Sequence, residues 1–335
     1  MIEYYLSWGI QAEKAFRYVY STNIPKIDIT EISNIVFIGM GGSGIVGDLA
    51  ASLAYNRLGV PVFSIKDYRL PMWVNKNTLV ISISYSGNTR ETVLATYEAL
   101  KRGSHVITVS SGGILRRLSE KYNLPHISIE GGLVPRAALP AMLYTVLALL
   151  ERMGFTIVSK DEINRSIENL KLWCNSREVD SEAKDLATFL KESIPVVVSC
   201  SKFSPLAYRL KNEFNENSKI PVKVEIVPEW GHNDIVGWEK PPATSNMKCL
   251  IVNCNEDKCK HLLNFVKEAI SRVNIKCYTL NLKGDSDLNK LMYGCLVGGL
   301  ASVYLARFRG VNPIETTSIS MYKNIIVKLI KINIV

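Results

Sequence analysis

Short runs of apolar, β-branched residues alternate with helix-length stretches along most of this chain, and that alternation restricts the fold more than any other feature. In the first half the runs fall at 35–38, 62–65, 79–83, 106–109 and 127–129, with helical patterns such as 45–58 and 90–102 between them. The runs are mainly apolar, interrupted only by a single Ser or Thr and free of charged residues, without the charged outer face of a half-exposed strand. They therefore predict parallel strands buried on both faces by helices. From 151 to 190 the pattern turns polar and helical, and strand-like runs resume at 196–199, 222–226, 249–252 and 277–280. The expected architecture is α/β: two sandwiches in tandem, each a mainly parallel sheet flanked by helices on both faces. The expected division is 1–153 and 154–335, the second part opening with the connecting helix.

With 47% hydrophobic and 21% charged residues, the 335-residue chain has the composition of a globular protein and no bias toward disorder. Its formal charge of +9 comes from scattered Lys and Arg, which gives no nucleic-acid stripe and suits small anionic substrates. The N-terminal MIEYYLSWGI lacks a basic n-region, and 137–150, taken as the longest apolar stretch, is too short to span a bilayer. A cytoplasmic protein without membrane or nucleic-acid partners is expected. Seven cysteines, at 174, 200, 249, 254, 259, 277 and 295, form an odd set. Cys254 and Cys259 have no second pair at zinc-ligand spacing, so structural thiols are expected and no metal.

Two glycine-bearing loops follow strands in the first half. Gly39-Met40-Gly41-Gly42-Ser43-Gly44 reads as GxGxxG between a strand and a helix, and Asp67 lies near the end of the next strand. Alone, that loop fits a dinucleotide as well as a monophosphate. The second loop, Ser84-Tyr85-Ser86-Gly87-Asn88-Thr89, sets three hydroxyls around a glycine at the head of a helix. Free N–H groups and the helix dipole favour an anion there, and hydroxyls add donors of adjustable direction. The alternative is that one Ser or Thr merely caps the helix.

These two loops resemble the sugar isomerase (SIS) domain, whose SxSGxT turn grips the phosphate of a phosphosugar. From about 35 to 323 the chain resembles the bifunctional phosphoglucose/phosphomannose isomerases, through GMGGSG, SYSGNT, GGLVPRAAL, KNEFNENSK, PEWGHNDIVGW and GVNPIETTSISMYK in that order. The resemblance implies two tandem SIS domains and interconversion of glucose and mannose 6-phosphates with fructose 6-phosphate. It also implies no cofactor and a homodimer with shared active sites. On that reading Gly42, Ser43, Ser84, Ser86 and Thr89 surround the phosphate.

Aldose–ketose interconversion needs a carboxylate to carry a proton between C2 and C1, a second acid–base group at the ring oxygen, and a cation beside the enediolate. Glu213, in a helix with Ser204 as expected cap and Pro205 at its first position, projects beside the stripe Leu206, Leu210, Phe214. The resemblance makes it the proton carrier, with Glu216 one turn on as the alternative. His232 lies in a loop with Trp230 and Trp238, aromatics that should be buried or wall a pocket; it could serve ring opening near neutral pH, and by resemblance from the neighbouring subunit. The resemblance further makes Arg136 the cation at the enediolate, Lys323 the helper at the ring, and Thr316 the residue leaving room for either C2 epimer. Gly231, Asp234, Asn312 and the Met321-Tyr322 pair depart from the family pattern without touching those groups. A related isomerase of amino-sugar or pentose phosphates, a silent sugar-phosphate sensor and an NAD enzyme remain the alternatives.

Overall fold

A computed structural model describes residues 1–241 and 246–330. Its strands are β1 (Asn34–Ile38), β2 (Val62–Ile65), β3 (Thr78–Ile83), β4 (His105–Ser110), β5 (His126–Ser128), β6 (Ile194–Cys200), β7 (Lys223–Val227), β8 (Met247–Asn253) and β9 (Cys277–Asn281). The helices are α1 (Ile2–Leu6), α2 (Trp8–Ser21), α3 (Gly41–Ala54), α4 (Arg90–Lys101), α5 (Gly113–Tyr122) and α6 (Leu139–Arg152), then α7 (Lys160–Cys174), α8 (Arg177–Leu190), α9 (Ser204–Glu213), α10 (Asp257–Arg272), α11 (Asp287–Phe308) and α12 (Thr317–Leu329). Each run read as a strand is one. Helix α3 begins at Gly41, four residues before the expected 45, because the glycine loop itself forms its first turn.

The first sheet has the order β2-β1-β3-β4-β5 and the second β7-β6-β8-β9, all parallel. Side chains alternate between the faces of a strand, and the first sheet uses both. Val36, Ile38, Val80 and Val106 form one apolar cluster with Ala95 and Ala99 of α4. Phe37 points the other way, toward α3, where a Cβ on Gly47 would come within 2.6 Å of the Phe37 Cβ.

The chain divides into two compact units, but not at 153. One comprises Ser7–Lys171 with the chain from Thr316 onward; the other comprises Met1–Leu6 with Leu172–Glu315. Most of α7 stays with the first sheet because Tyr144 Oη and Ser166 Oγ lie 2.6 Å apart and Arg57 pairs with Glu162 at 2.6 Å. The first six residues go with the second sheet because Tyr5 packs against Gly299 of α11, where a Cβ would stand 2.3 Å from the Tyr5 ring.

Small residues on α11 serve close packing within its own unit. A Cβ on Gly294 would meet Leu206 at 2.5 Å, and one on Gly298 would meet Leu210 at 1.9 Å, both on α9. Among the described residues α11 is the one helix long and apolar enough to cross a membrane, and 89% of that stretch is buried in the protein. It exceeds the 137–150 stretch taken from the sequence because its glycines and serine interrupt the apolar letters without exposing the helix.

Cys249 and Cys277 are register partners on β8 and β9. The neighbouring Cys249 thiol favours the Cys277 thiolate and brings its pKa down to about 7. Cys277 is also the half-buried member of an otherwise buried set of free cysteines. Brief iodoacetamide treatment should therefore modify Cys277 ahead of the other thiols, with a rate rising through about pH 7, as peptide mass spectrometry would read.

Candidate functional site

Strands β1 and β3 are neighbours, while their successors β2 and β4 lie on opposite sides of that pair. The order reverses between β1 and β3, and in open α/β sheets ligands bind at that point, outside the carboxyl ends of the strands. Both motif loops stand there: 39–44 after β1 and 84–89 after β3. They touch directly, since the Tyr85 backbone N–H donates to Ser43 Oγ at 3.0 Å.

The hydroxyls divide by task. Ser43 is buried, and its other bond runs to Met142 Sδ at 3.5 Å. It buckles the two loops together where direct phosphate contact was expected. Ser84 is buried and donates to Thr89 Oγ1 at 3.1 Å. Thr89 is the N-cap residue of α4, yet its side chain makes no capping bond. Accepting from Ser84 leaves the Thr89 hydroxyl proton to point elsewhere. Ser86 is exposed and accepts from the Asn88 N–H at 3.3 Å. Ser86, Thr89 and the uncapped start of α4 thus offer donors to an anion, with Ser84 and Ser43 bracing them.

Gly87 has φ +68°, and a Cβ there would lie 1.7 Å from the Gly112 carbonyl oxygen. The loop after β4 closes over it: Leu115 N donates to Gly87 O at 2.8 Å and Ile114 N to Asn88 Oδ1 at 3.1 Å. This third loop escaped the sequence reading, although Ser110-Ser111-Gly112-Gly113 carried a turn signal. Gly87→Ala should displace the turn at a strain of about 1–3 kcal/mol. Affinity for a phosphorylated ligand, read by titration calorimetry, should fall roughly tenfold or more. Gly59→Ala, where a Cβ meets nothing within 4 Å, should leave it unchanged.

Gly42 approaches a further element of the same unit. A Cβ on it would stand 3.0 Å from the Pro135 carbonyl carbon and 3.1 Å from the Arg136 nitrogen. Arg136, in the single turn Pro135–Ala138, is 4% exposed, and its backbone abuts the head of α3. A cavity of about 540 Å³ in this unit, lined by Gln11, Tyr18, Ile129, Leu133, Ala141 and Thr145 among others, shares no residue with these loops.

In the other unit, Glu213 does not lie beside the buried stripe but within it. Its side chain is fully buried and paired with Arg209, itself 1% exposed. Its Oε2 accepts from Tyr5 Oη at 2.5 Å and from Asn217 Nδ2 at 2.8 Å. Asn217 also donates to Ser302 Oγ at 2.8 Å. Burial pushes the Tyr5 hydroxyl well above the usual phenol range, and the Glu213 charge adds to it, so the phenol stays a donor. A carboxylate so enclosed secures α9 against α1 and α11; as placed, it is not exposed to a substrate. Ser204 is likewise inside α9 and not its cap, since the chain enters through the turn Ser201–Phe203.

Helix α9 then widens into a π-helical turn, Phe214–Ser218, closed by Lys219 in the left-handed conformation at φ 57°. Such turns recur at functional sites because they re-aim side chains. Glu216 lies on this turn and is partly exposed. Beyond it, Trp230 and Trp238 are buried, 1% and 6% exposed, and hold an irregular loop on which His232 is exposed. Thr316 precedes α12 without capping it by its side chain; Lys323 is exposed on α12, which buries no residue. The Arg90 guanidinium, at the first residue of α4, donates to the Ile330 carbonyl just past α12.

Two parallel sheets, with a hydroxyl-lined turn on a helix start at the switch point of the first, define a sugar isomerase fold. Residues 28–152 match the SIS domain model, and 179–326 match the bacterial phospho-glucose isomerase C-terminal SIS domain. The chain belongs to the bifunctional phosphoglucose/phosphomannose isomerase family. It is 34% identical to the member from Aquifex aeolicus over 88% of this chain and 91% of that one. It is 31% identical to the Caldicellulosiruptor bescii member over 94% and 95%. A D-glucosamine-6-phosphate 4-epimerase from Sulfolobus acidocaldarius is 27% identical over 85% and 86%. In fold, the chain resembles the C-terminal domain of glucosamine-fructose-6-phosphate aminotransferase from Francisella tularensis, with TM-score 0.71 and 16% identity over 93% and 98%.

Proposed function

We propose that this protein interconverts glucose 6-phosphate and mannose 6-phosphate with fructose 6-phosphate by proton transfer through a cis-enediol(ate). Its relatives of 31–34% identity carry the name of that activity. The observation that carries the reading is the Thr89 hydroxyl, which stands at a helix start without capping it. Ser86, Thr89 and the α4 N–H groups take the phosphate, Ser84 and Ser43 orient them, and the Gly42 backbone clears space. Arg136 stabilises the enediolate oxyanion. Lys323 assists at the ring and Thr316 admits either epimer.

The proton carrier on this reading is Glu216. A general base must reach the proton it removes, and Glu213 is spent on Arg209, Tyr5 and Asn217. Glu213 becomes a positioning residue, locking the end of α9 so that the π turn holds Glu216 in place. His232, exposed in the single chain, serves ring opening within a homodimer that shares its active sites, in the cytoplasm. The required chemistry is proton transfer, which these side chains supply without cofactor or metal.

The 4-epimerase relative favours a second reading, an enzyme of amino-sugar phosphates. The purified protein should be assayed, with nothing added, on glucose, mannose, fructose and glucosamine 6-phosphates. Conversion of the first three into one another is expected. Turnover of the amino sugar alone would replace the reading, and binding without turnover would leave a sugar-phosphate sensor.

A further inference from the structure

We propose that Cys200, Cys254 and Cys259 form a thiol–disulfide exchange centre, in which Cys254 displaces Cys200 from Cys259 and moves the bridge from one strand end to another. Cys200 ends β6, Cys254 directly follows β8, and Cys259 lies in the first turn of α10. A disulfide joins Cys200 to Cys259, with Cα atoms 6.0 Å apart. Cys254 Sγ stands 3.2 Å from Cys259 Sγ. All three sulfurs lie within 4.8 Å of one another and are buried. The expectation of structural thiols thus gives way to a convergence in which Cys200, distant in sequence, joins the Cys254 and Cys259 pair.

Exchange requires a thiolate next to one sulfur of an existing disulfide, and Cys254 occupies that position. The Cys254 thiol loses its proton to water and its sulfur attacks Cys259 Sγ. The Cys254–Cys259 bond forms as the Cys200–Cys259 bond breaks, and Cys200 departs as a thiolate that takes a proton from solvent. One disulfide and one thiol are present before and after, so no oxidant or reductant is consumed. Coordination of a soft metal ion by the three sulfurs fits less well, because two are bonded to each other and cannot both act as thiolate ligands.

Burial raises the Cys254 thiol above its ordinary range, a shift opposed by a hydrogen bond from the Glu256 backbone. The thiolate is therefore scarce at neutral pH, and the exchange accelerates in alkali. Its consequence is mechanical. Cys200 immediately precedes the turn into α9, so the Cys200–Cys259 bond ties the root of that helix to α10 across 59 residues. A Cys254–Cys259 bond spans only five and leaves that root to noncovalent contacts such as Ser201 Oγ to Val227 O at 3.0 Å. In loop-closure terms the longer bridge restrains the unfolded chain roughly 40-fold more.

The test maps disulfides in protein purified without reductant. Samples held at pH 7 and pH 9 are quenched in acid, unfolded, alkylated, digested and analysed by mass spectrometry. The Cys254–Cys259 linkage, with alkylated Cys200, should accumulate about tenfold or more faster at pH 9, and Cys254→Ser should abolish it. Cys200→Ser, treated with glutathione disulfide, should form the Cys254–Cys259 bridge directly. A Cys200–Cys259 linkage unchanged at both pH values would overturn the proposal. So would three free thiols in the wild-type protein, or full alkylation of Cys254 and Cys259 in oxidised Cys200→Ser.

Discussion

Glu216→Gln is expected to lower turnover on fructose 6-phosphate by roughly 10²–10⁴-fold, the usual worth of a general base. Its KM should change little, because the hydroxyl-lined turn proposed to hold the phosphate is untouched. The argument rests on access. Glu216 stands partly exposed on the π-helical turn that follows α9, whereas the Glu213 side chain is fully buried. A base must reach carbon-bound hydrogen, and the amide of the variant keeps the shape while losing the basicity. Normal turnover in Glu216→Gln would return the role to Glu213 despite its enclosure.

Glu213→Gln should act on stability more than on binding. The substitution leaves Arg209, 1% exposed, without its counter-charge. Breaking a buried pair from one side costs about 3–5 kcal/mol, because the remaining charge stays desolvated. Urea unfolding should report that loss as a lower midpoint with unchanged slope. Replacing the pair together, as Arg209→Met with Glu213→Leu, should cost less than the single change, since no buried charge is left unpaired, with a remainder of about 1–3 kcal/mol from the Tyr5 hydroxyl that loses its acceptor. A Glu213→Gln protein as stable as the parent, yet without turnover, would make Glu213 the base and end its assignment as a positioning residue.

Legibility in the sequence followed burial. The parallel strands announced themselves because both their faces are covered, which leaves continuous apolar runs such as Thr78–Ile83, buried at every position. Gly87 was readable as a turn glycine, but its tighter constraint, the Gly112 carbonyl, comes from a loop two dozen residues on. Half of the Glu213 network was in principle visible: Arg209 and Asn217 flank it at four-residue spacing, on one helical face. Tyr5, 208 residues away, was not. The apolar stripe placed Glu213 beside the core, and only packing against α1 and α11 could show that it lies inside. The packing units differ from the expected division at 153 for a related reason: α7 follows its contacts with Tyr144 and Arg57, and residues 1–6 and 316 onward each group with the unit other than that of their chain neighbours.

Conversion in deuterium oxide measures the central claim most directly. Fructose 6-phosphate incubated with the protein in that solvent, without added cofactor or metal, should yield glucose and mannose 6-phosphates carrying deuterium at C2, detected by proton NMR as loss of the H2 signal. That result is required if a carboxylate shuttles the proton through an enediol(ate) in exchange with water. Products that keep hydrogen at C2 throughout, or no conversion of the ketose at all, would contradict it.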